Sequence, residues 1–151
     1  LKEVIHDSRG EGQQASSKFK ASVIVGGQIK GGSPTLFMIY PKGHFIEITN
    51  DNPFFQIGEA KYGKPILVRA YEPDMSFEDT IKLLLVSFDS TIKANLSMDL
   101  PLDLQVYAKD SFEVSNKPRI NVGDPYFEAI SSGWSDALRN ALTQLPSYKN
   151  D

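Results

Sequence analysis

The stretch FFQIGEAKYGKPIL, Phe54–Leu67, decides the architecture of this chain. It opens with a run of apolar residues that reads as a buried strand and stops at Gly58. After Glu59 the period changes, and Pro65, which suits only the first turn of a helix, predicts a short helix within Lys61–Tyr71. What lies on either side then fixes the class.

Upstream the pattern is β. ASVIVGGQI (Ala21–Ile29), TLFMIYP (Thr35–Pro41) and HFIEIT (His44–Thr49) are rich in β-branched and aromatic residues. Gly31-Gly32 and Lys42-Gly43 punctuate them as hairpin turns do. With FFQIG as a fourth strand, the expectation is an antiparallel meander. Gly26-Gly27 beside the first turn reads as a bulge or a close backbone approach.

Downstream the pattern is helical. Phe77, Ile81, Leu84, Leu85, Phe88, Ile92 and Leu96 recur at spacings of three and four and predict one long amphipathic helix. Ser76 is its expected N-cap, with Asp79 as an acidic capping-box partner. Glu78, Lys82, Asp89 and Lys93 fall on its other side and read as solvated. PLDLQVYAK (Pro101–Lys109) alternates as a half-buried strand, and SFEVSNKPRIN holds a further strand or two. Asp124-Pro125 opens a last helix with Phe127, Ile130, Trp134, Leu138, Ala141, Leu142 and Leu145 on its apolar face, ended by Pro146. Strands in a run followed by helices in a run give an α+β fold.

Composition bounds the function. The 151 residues suit one soluble domain, and a net charge of −3 gives nucleic-acid binding no electrostatic support. The chain contains no Cys, which removes disulfides, a thiol nucleophile and Cys-bound zinc. No apolar run reaches the roughly 20 residues that span a bilayer. The expectation is a cytoplasmic protein with no metal or other cofactor. The start LKEVIHDSRGEGQQASSKFK reads as the last turn of a helix (Leu1, Val4, Ile5) and a polar connection over residues 1–20, so that 21–151 form the C-terminal part of a longer domain.

Candidate chemistry is sparse. His6 and His44 read as surface residues, and no G-x-S-x-G elbow accompanies them. Gly26–Ser33 has phosphate-loop spacing, but Gly32 stands where the Lys belongs and the loop joins two strands. Asp99 and Asp103 form a carboxylate pair that reads more simply as a turn residue and a solvated strand residue.

The segments VIVGGQIKGGSPTLFMIYPKGHFIE, PFFQIGEAKYGKPIL, LLLVSFDSTIKANL, PLDLQVYAKDS and DPYFEAISSGWSDALRNAL together resemble the C-terminal portion of Anbu, the bacterial ancestral β-subunit relatives of proteasome β-type subunits. The resemblance implies an N-terminal-nucleophile hydrolase fold, an antiparallel β sandwich flanked by helices, here without its first strands. It implies a self-assembling threonine- or serine-type peptidase or amide hydrolase acting on peptide or protein substrates. The nucleophile and its Asp and Lys partners are expected upstream of Leu1, so this chain alone is expected to be inactive and to self-associate. The alternative is a non-catalytic structural subunit of such an oligomer.

The resemblance also supplies supporting positions. Gly58 matches the first residue of a Gly-Ser-Gly-like turn beside the nucleophile, where Glu59 and Ala60 replace the other two. Asn95, Ser97 and Asp99 match the place of a supporting Asp and Ser. Glu59 either orients the terminal amine that serves as the base or opens a helix through its charge.

Overall fold

A computed structural model describes residues 21–41 and 43–148. The expected helical turn at Leu1, Val4 and Ile5, the connection that follows it, His6 and Lys42 of the second turn lie outside the described residues. The chain divides into two compact units, Leu1–Ile57 and Gly58–Asp151.

The first unit is a meander. Strands β1 (Val23–Gly27), β2 (Thr35–Ile39) and β3 (Phe45–Glu47) form an antiparallel sheet in that order. Both turns use a glycine in the left-handed region, Gly31 at φ 83° and Gly43 at φ 84°, where a side chain is strained. Gly26 pairs in register with Leu36, so no bulge is present. It is instead a close approach, because a Cβ there would lie 2.8 Å from Leu36 Cδ1. Phe37 and Phe45 stack edge to face at 5.8 Å.

The fourth strand expected at FFQIG does not form. Residues 53–57 are irregular, though Phe54, Phe55 and Gln56 are partly buried. The Thr49–Asn52 bridge closes a tight turn just before them, and Pro53 has no N–H to continue a ladder. Apolar character predicted burial only in part, since Ile57 is 47% exposed, and partial burial does not make a strand without a laddered neighbour.

The second unit carries the helices and a small hairpin. Helix α1 (Lys64–Ala70) starts as Pro65 requires, with Gly63 at its N-cap. Helix α2 (Phe77–Ala94) starts as expected: Ser76 Oγ accepts from the Asp79 N–H at 3.0 Å and donates to Asp79 Oδ2 at 3.0 Å. Strands β4 (Gln105–Tyr107) and β5 (Val114–Asn116) pair antiparallel, and a bridge between Leu102 and Ile120 extends the contact. Helix α3 (Pro125–Gln144) starts at Asp124, whose carboxylate accepts from the Tyr126 and Phe127 N–H groups.

Leu85, Ile120 and Phe127 form the core of this unit, with Ile81, Ile92, Leu100, Leu102 and Ile130 packed around them. One side of the α2 stripe is therefore core, while Phe77, Phe88 and Leu96 are exposed. The polar side departs further from expectation. Asp89, placed with the solvated residues, is only 3% exposed, and Ser87 and Thr91 are equally buried. The reason is that α2 is gripped on two further sides, by α1 and by α3.

The α1 contact is a glycine contact. Gly63 has φ −86°, which any residue adopts, so it is glycine for space alone. A Cβ there would sit 2.3 Å from Ser87 Oγ, 2.8 Å from Ser87 O and 2.9 Å from Thr91 Oγ1. The Thr91 hydroxyl donates back to Ser87 O at 2.9 Å and so satisfies itself within the helix.

Two effects oppose each other in Gly63→Ala. Restricting the unfolded chain stabilises by about 0.4–1 kcal/mol, whereas overpacking costs about 1–3 kcal/mol. Because one of the struck atoms is a backbone carbonyl that a rotamer change cannot move, overpacking wins. Urea unfolding should show a net loss of stability, only partly recovered in Gly63→Ala/Ser87→Ala; a neutral or stabilising alanine would refute the close packing.

Candidate functional site

The residues singled out from the sequence occupy two turns that flank the C-terminal half of α2. The first runs from Gly58 to Gly63. Gly58 has φ 85°, a conformation that favours glycine, at a bend that opens the second unit. Glu59 is partly buried, and its Oε1 accepts the Lys61 N–H at 2.9 Å. The Ala60 carbonyl then accepts from the Lys64 N–H at 3.2 Å, which leads into α1.

Glu59 thus stabilises a turn rather than opening a helix. It stands five residues before Lys64, and α1 has no acidic residue in its first turn. The macrodipole falls off within one turn, so it does not account for this carboxylate.

The second turn follows α2. Asn95 is the C-cap, its N–H donating to Thr91 O at 2.9 Å. Its side-chain Oδ1 accepts the Ser97 N–H at 2.9 Å, an Asx-type turn that brings these two candidates together. Asp99 is exposed, with Oδ1 accepting the Leu100 N–H at 2.7 Å. The Leu100–Pro101 peptide is cis.

Thr91 joins the two turns. Its side chain lies against Gly63, and its carbonyl caps Asn95. One turn of α2 therefore holds both the Gly58–Gly63 segment and the Asn95 loop in place.

Asp103 does not share a site with Asp99. It forms a two-point ion pair across the hairpin with Arg119, Nε to Oδ1 at 2.7 Å and Nη2 to Oδ2 at 2.6 Å. His44 is exposed at its turn. Among the described residues, no three His, Asp or Glu side chains gather as a metal site.

Sequence reading missed a second polar constellation. Lys93 Nζ donates to Ser131 Oγ at 2.8 Å and Ser135 Oγ at 3.1 Å on α3, and lies 3.2 Å from buried Asp89 Oδ2. The signal was present in pairs of small hydroxyl residues at helical spacing, Ser87 with Thr91 and Ser131 with Ser135. Such pairs permit close helix contact, while hydropathy alone assigns them to solvent.

Comparison with known proteins places this geometry in a family. The proteasome subunit family profile matches residues 4–99. The chain belongs to the proteasome subunit family. Solved Anbu structures are similar over most of it. Anbu from Yersinia bercovieri is 43% identical, with a TM-score of 0.87, 99% of this chain covered and 61% of that one. The structure described as the helical assembly of the Anbu complex from Pseudomonas aeruginosa is 45% identical, with a TM-score of 0.88 and the same coverage, 99% and 61%. Anbu from Hyphomicrobium sp. strain MC1 is 52% identical, with a TM-score of 0.83, 87% of this chain covered and 57% of that one. A search of curated proteins finds no match. The resemblance to Anbu read from the sequence is thus borne out, as is the α+β proteasome-type fold. The chain spans 57–61% of the length of these three structures.

The hairpin ion pair yields a pH prediction. The Arg119 hydrogen bond holds the Asp103 carboxyl below its ordinary value. A depressed folded-state pKa stabilises fully above the unfolded value of about 3.9 and is lost as pH falls through the folded one. Comparing the urea midpoints of the wild type and Asp103→Asn from neutral to acid pH should show a small gap that closes in acid. Both groups are exposed, so solvent screening keeps the gap small; a gap independent of pH would contradict the assignment.

Proposed function

We propose that this chain is part of an Anbu-type, N-terminal-nucleophile amide hydrolase that cleaves peptide or protein substrates. Membership of the proteasome subunit family, with Anbu structures 43–52% identical, is the observation that carries the reading. The proposal assigns the Thr or Ser nucleophile, with its Asp and Lys, to the part of the subunit outside Leu1–Asp151. The bacterial sources of the similar structures support a bacterial, cytoplasmic setting, and no described helix is long and apolar enough to cross a membrane. The described helical assembly of the Pseudomonas protein supports self-association here.

In such an enzyme the hydroxyl of the first residue attacks the scissile carbonyl. The terminal amine takes the hydroxyl proton and later returns it to the leaving amine. Only the neutral amine is a base, and its orientation decides whether its lone pair meets the hydroxyl.

The role proposed for this chain is support of that amine. Gly58 turns the backbone and Glu59 offers a carboxylate where relatives of the proteasome type carry a serine. A carboxylate accepting from the amine strengthens it as a base, which a serine hydroxyl does less well. Asn95, Ser97 and Asp99 form the companion loop, held at the same turn of α2 through Thr91.

Peptide hydrolysis by the full subunit tests the reading. Glu59→Gln should lower kcat/KM on the order of tenfold, less than the 10²–10⁴ that a general base itself contributes. It should shift the acid limb of the pH profile and leave the melting temperature unchanged. The 151-residue chain alone should show no turnover. A full subunit without a terminal Thr or Ser, or without hydrolysis of any peptide or amide, would favour a structural subunit of the same assembly.

A further inference from the structure

The last turn of α2 is tied to α3 by a side chain that the proposed mechanism does not use. Lys93 Nζ donates to Ser131 Oγ at 2.8 Å, to Ser135 Oγ at 3.1 Å and to Ser131 O at 3.5 Å. The same ammonium lies 3.2 Å from Oδ2 of Asp89, one turn back on α2. An exposed ion pair at this helical spacing holds its side chains loosely. Here the carboxylate is buried, and acceptors on a second helix fix where the ammonium ends.

The acceptors are themselves well placed. Ser131 and Ser135 stand one turn apart on α3 and so share a face. Phe127 and Ile130, which pack in the core, immediately precede them. The Ser135 hydroxyl donates to Ser131 O at 2.9 Å, which commits its proton and leaves its oxygen to accept from Lys93. Neutral hydroxyls also leave the charge balance between Lys93 and Asp89 undisturbed.

This tie sits where a helix is weakest. The final carbonyls of a helix have no partner within it, and its ends open before its middle. Asn95, two residues after Lys93, closes α2 with its N–H on Thr91 O at 2.9 Å. From Asn95 the candidate loop is built: its Oδ1 accepts the Ser97 N–H at 2.9 Å, and its carbonyl accepts the Met98 N–H at 3.1 Å. Gly63 holds this turn of α2 at Thr91, and Lys93 holds it about 200° further round the helix.

We infer that Lys93 is a positioning residue for the Asn95–Asp99 loop. Its ammonium, seated on Ser131 and Ser135, keeps the last turn of α2 closed, so that Asn95 and Ser97 hold one arrangement. The consequence for catalysis rests on the hydrolase reading; the hold on the loop does not.

Hydrogen exchange and peptide hydrolysis of the full subunit test this. The variant is Ser131→Ala/Ser135→Ala, which removes the hydroxyl acceptors and leaves both charges of α2 in place. The amides of residues 95–98 should exchange about fivefold faster. The Thr80 amide, bonded to Ser76 O at the other end of α2, should keep its wild-type rate. In the same variant kcat should fall about fivefold with KM unchanged, because the loop supports the amine rather than the substrate. Unchanged exchange at residues 95–98, or faster exchange spread evenly along α2, would overturn the inference. A wild-type subunit without hydrolysis would instead defeat the hydrolase reading, while the exchange rates still decide whether Lys93 holds the loop.

Discussion

The absence of a side chain at Gly63 is the constraint on which the helical unit depends. No Cβ fits there, because Ser87 and Thr91 of α2 already occupy its space. That single approach fixes where α1 begins and how the preceding turn is held. Thr91 carries the effect onward, since its carbonyl caps Asn95 and begins the loop to Asp99. The far side of α2 is secured differently, by the ammonium of Lys93 held between a buried carboxylate and two α3 hydroxyls. Lys93 is half exposed, so the pair itself adds little stability, but removing the ammonium would leave the buried Asp89 carboxylate uncompensated.

This arrangement explains why an element of ordinary amphipathic appearance behaves as it does. A helix that packs on one layer shows one apolar stripe. A helix with neighbours on three sides must also bury part of what looks polar, and it does so with short hydroxyls and one compensated carboxylate. Beyond Ser135 α3 runs about two and a half turns further, past the last turn of α2 that Lys93 occupies. Leu138, Leu142 and Leu145 are accordingly exposed, although they continue the stripe that begins at buried Phe127.

Much of the fold was legible because its signals are local. Ser76, Pro65 and Asp124-Pro125 mark helix starts through hydrogen bonds made within a few residues, and Gly31 and Gly43 mark turns through backbone conformation. Asp89 was misread because its surroundings are set by α3, some forty residues away in sequence, whose Ser131 and Ser135 hold Lys93 beside it. FFQIG was misread because a strand is a relation between two segments, and apolar content records burial only. At the candidate site, Gly58 stood out as a match to a family pattern and Glu59 and Ala60 as departures from it. The role of Gly63, which holds them, showed only in three dimensions.

The central claim is that a turn anchored through Gly63 presents Glu59 to a catalytic amine supplied elsewhere in the subunit. The direct measurement is the distance from that amine to the Glu59 carboxylate in an experimental structure of the assembled full subunit. The account predicts hydrogen-bond contact, about 3 Å, with Gly63 still against Ser87 and Thr91. A first residue whose amine lies well beyond reach of Glu59, while another carboxylate or hydroxyl holds it, would contradict the account.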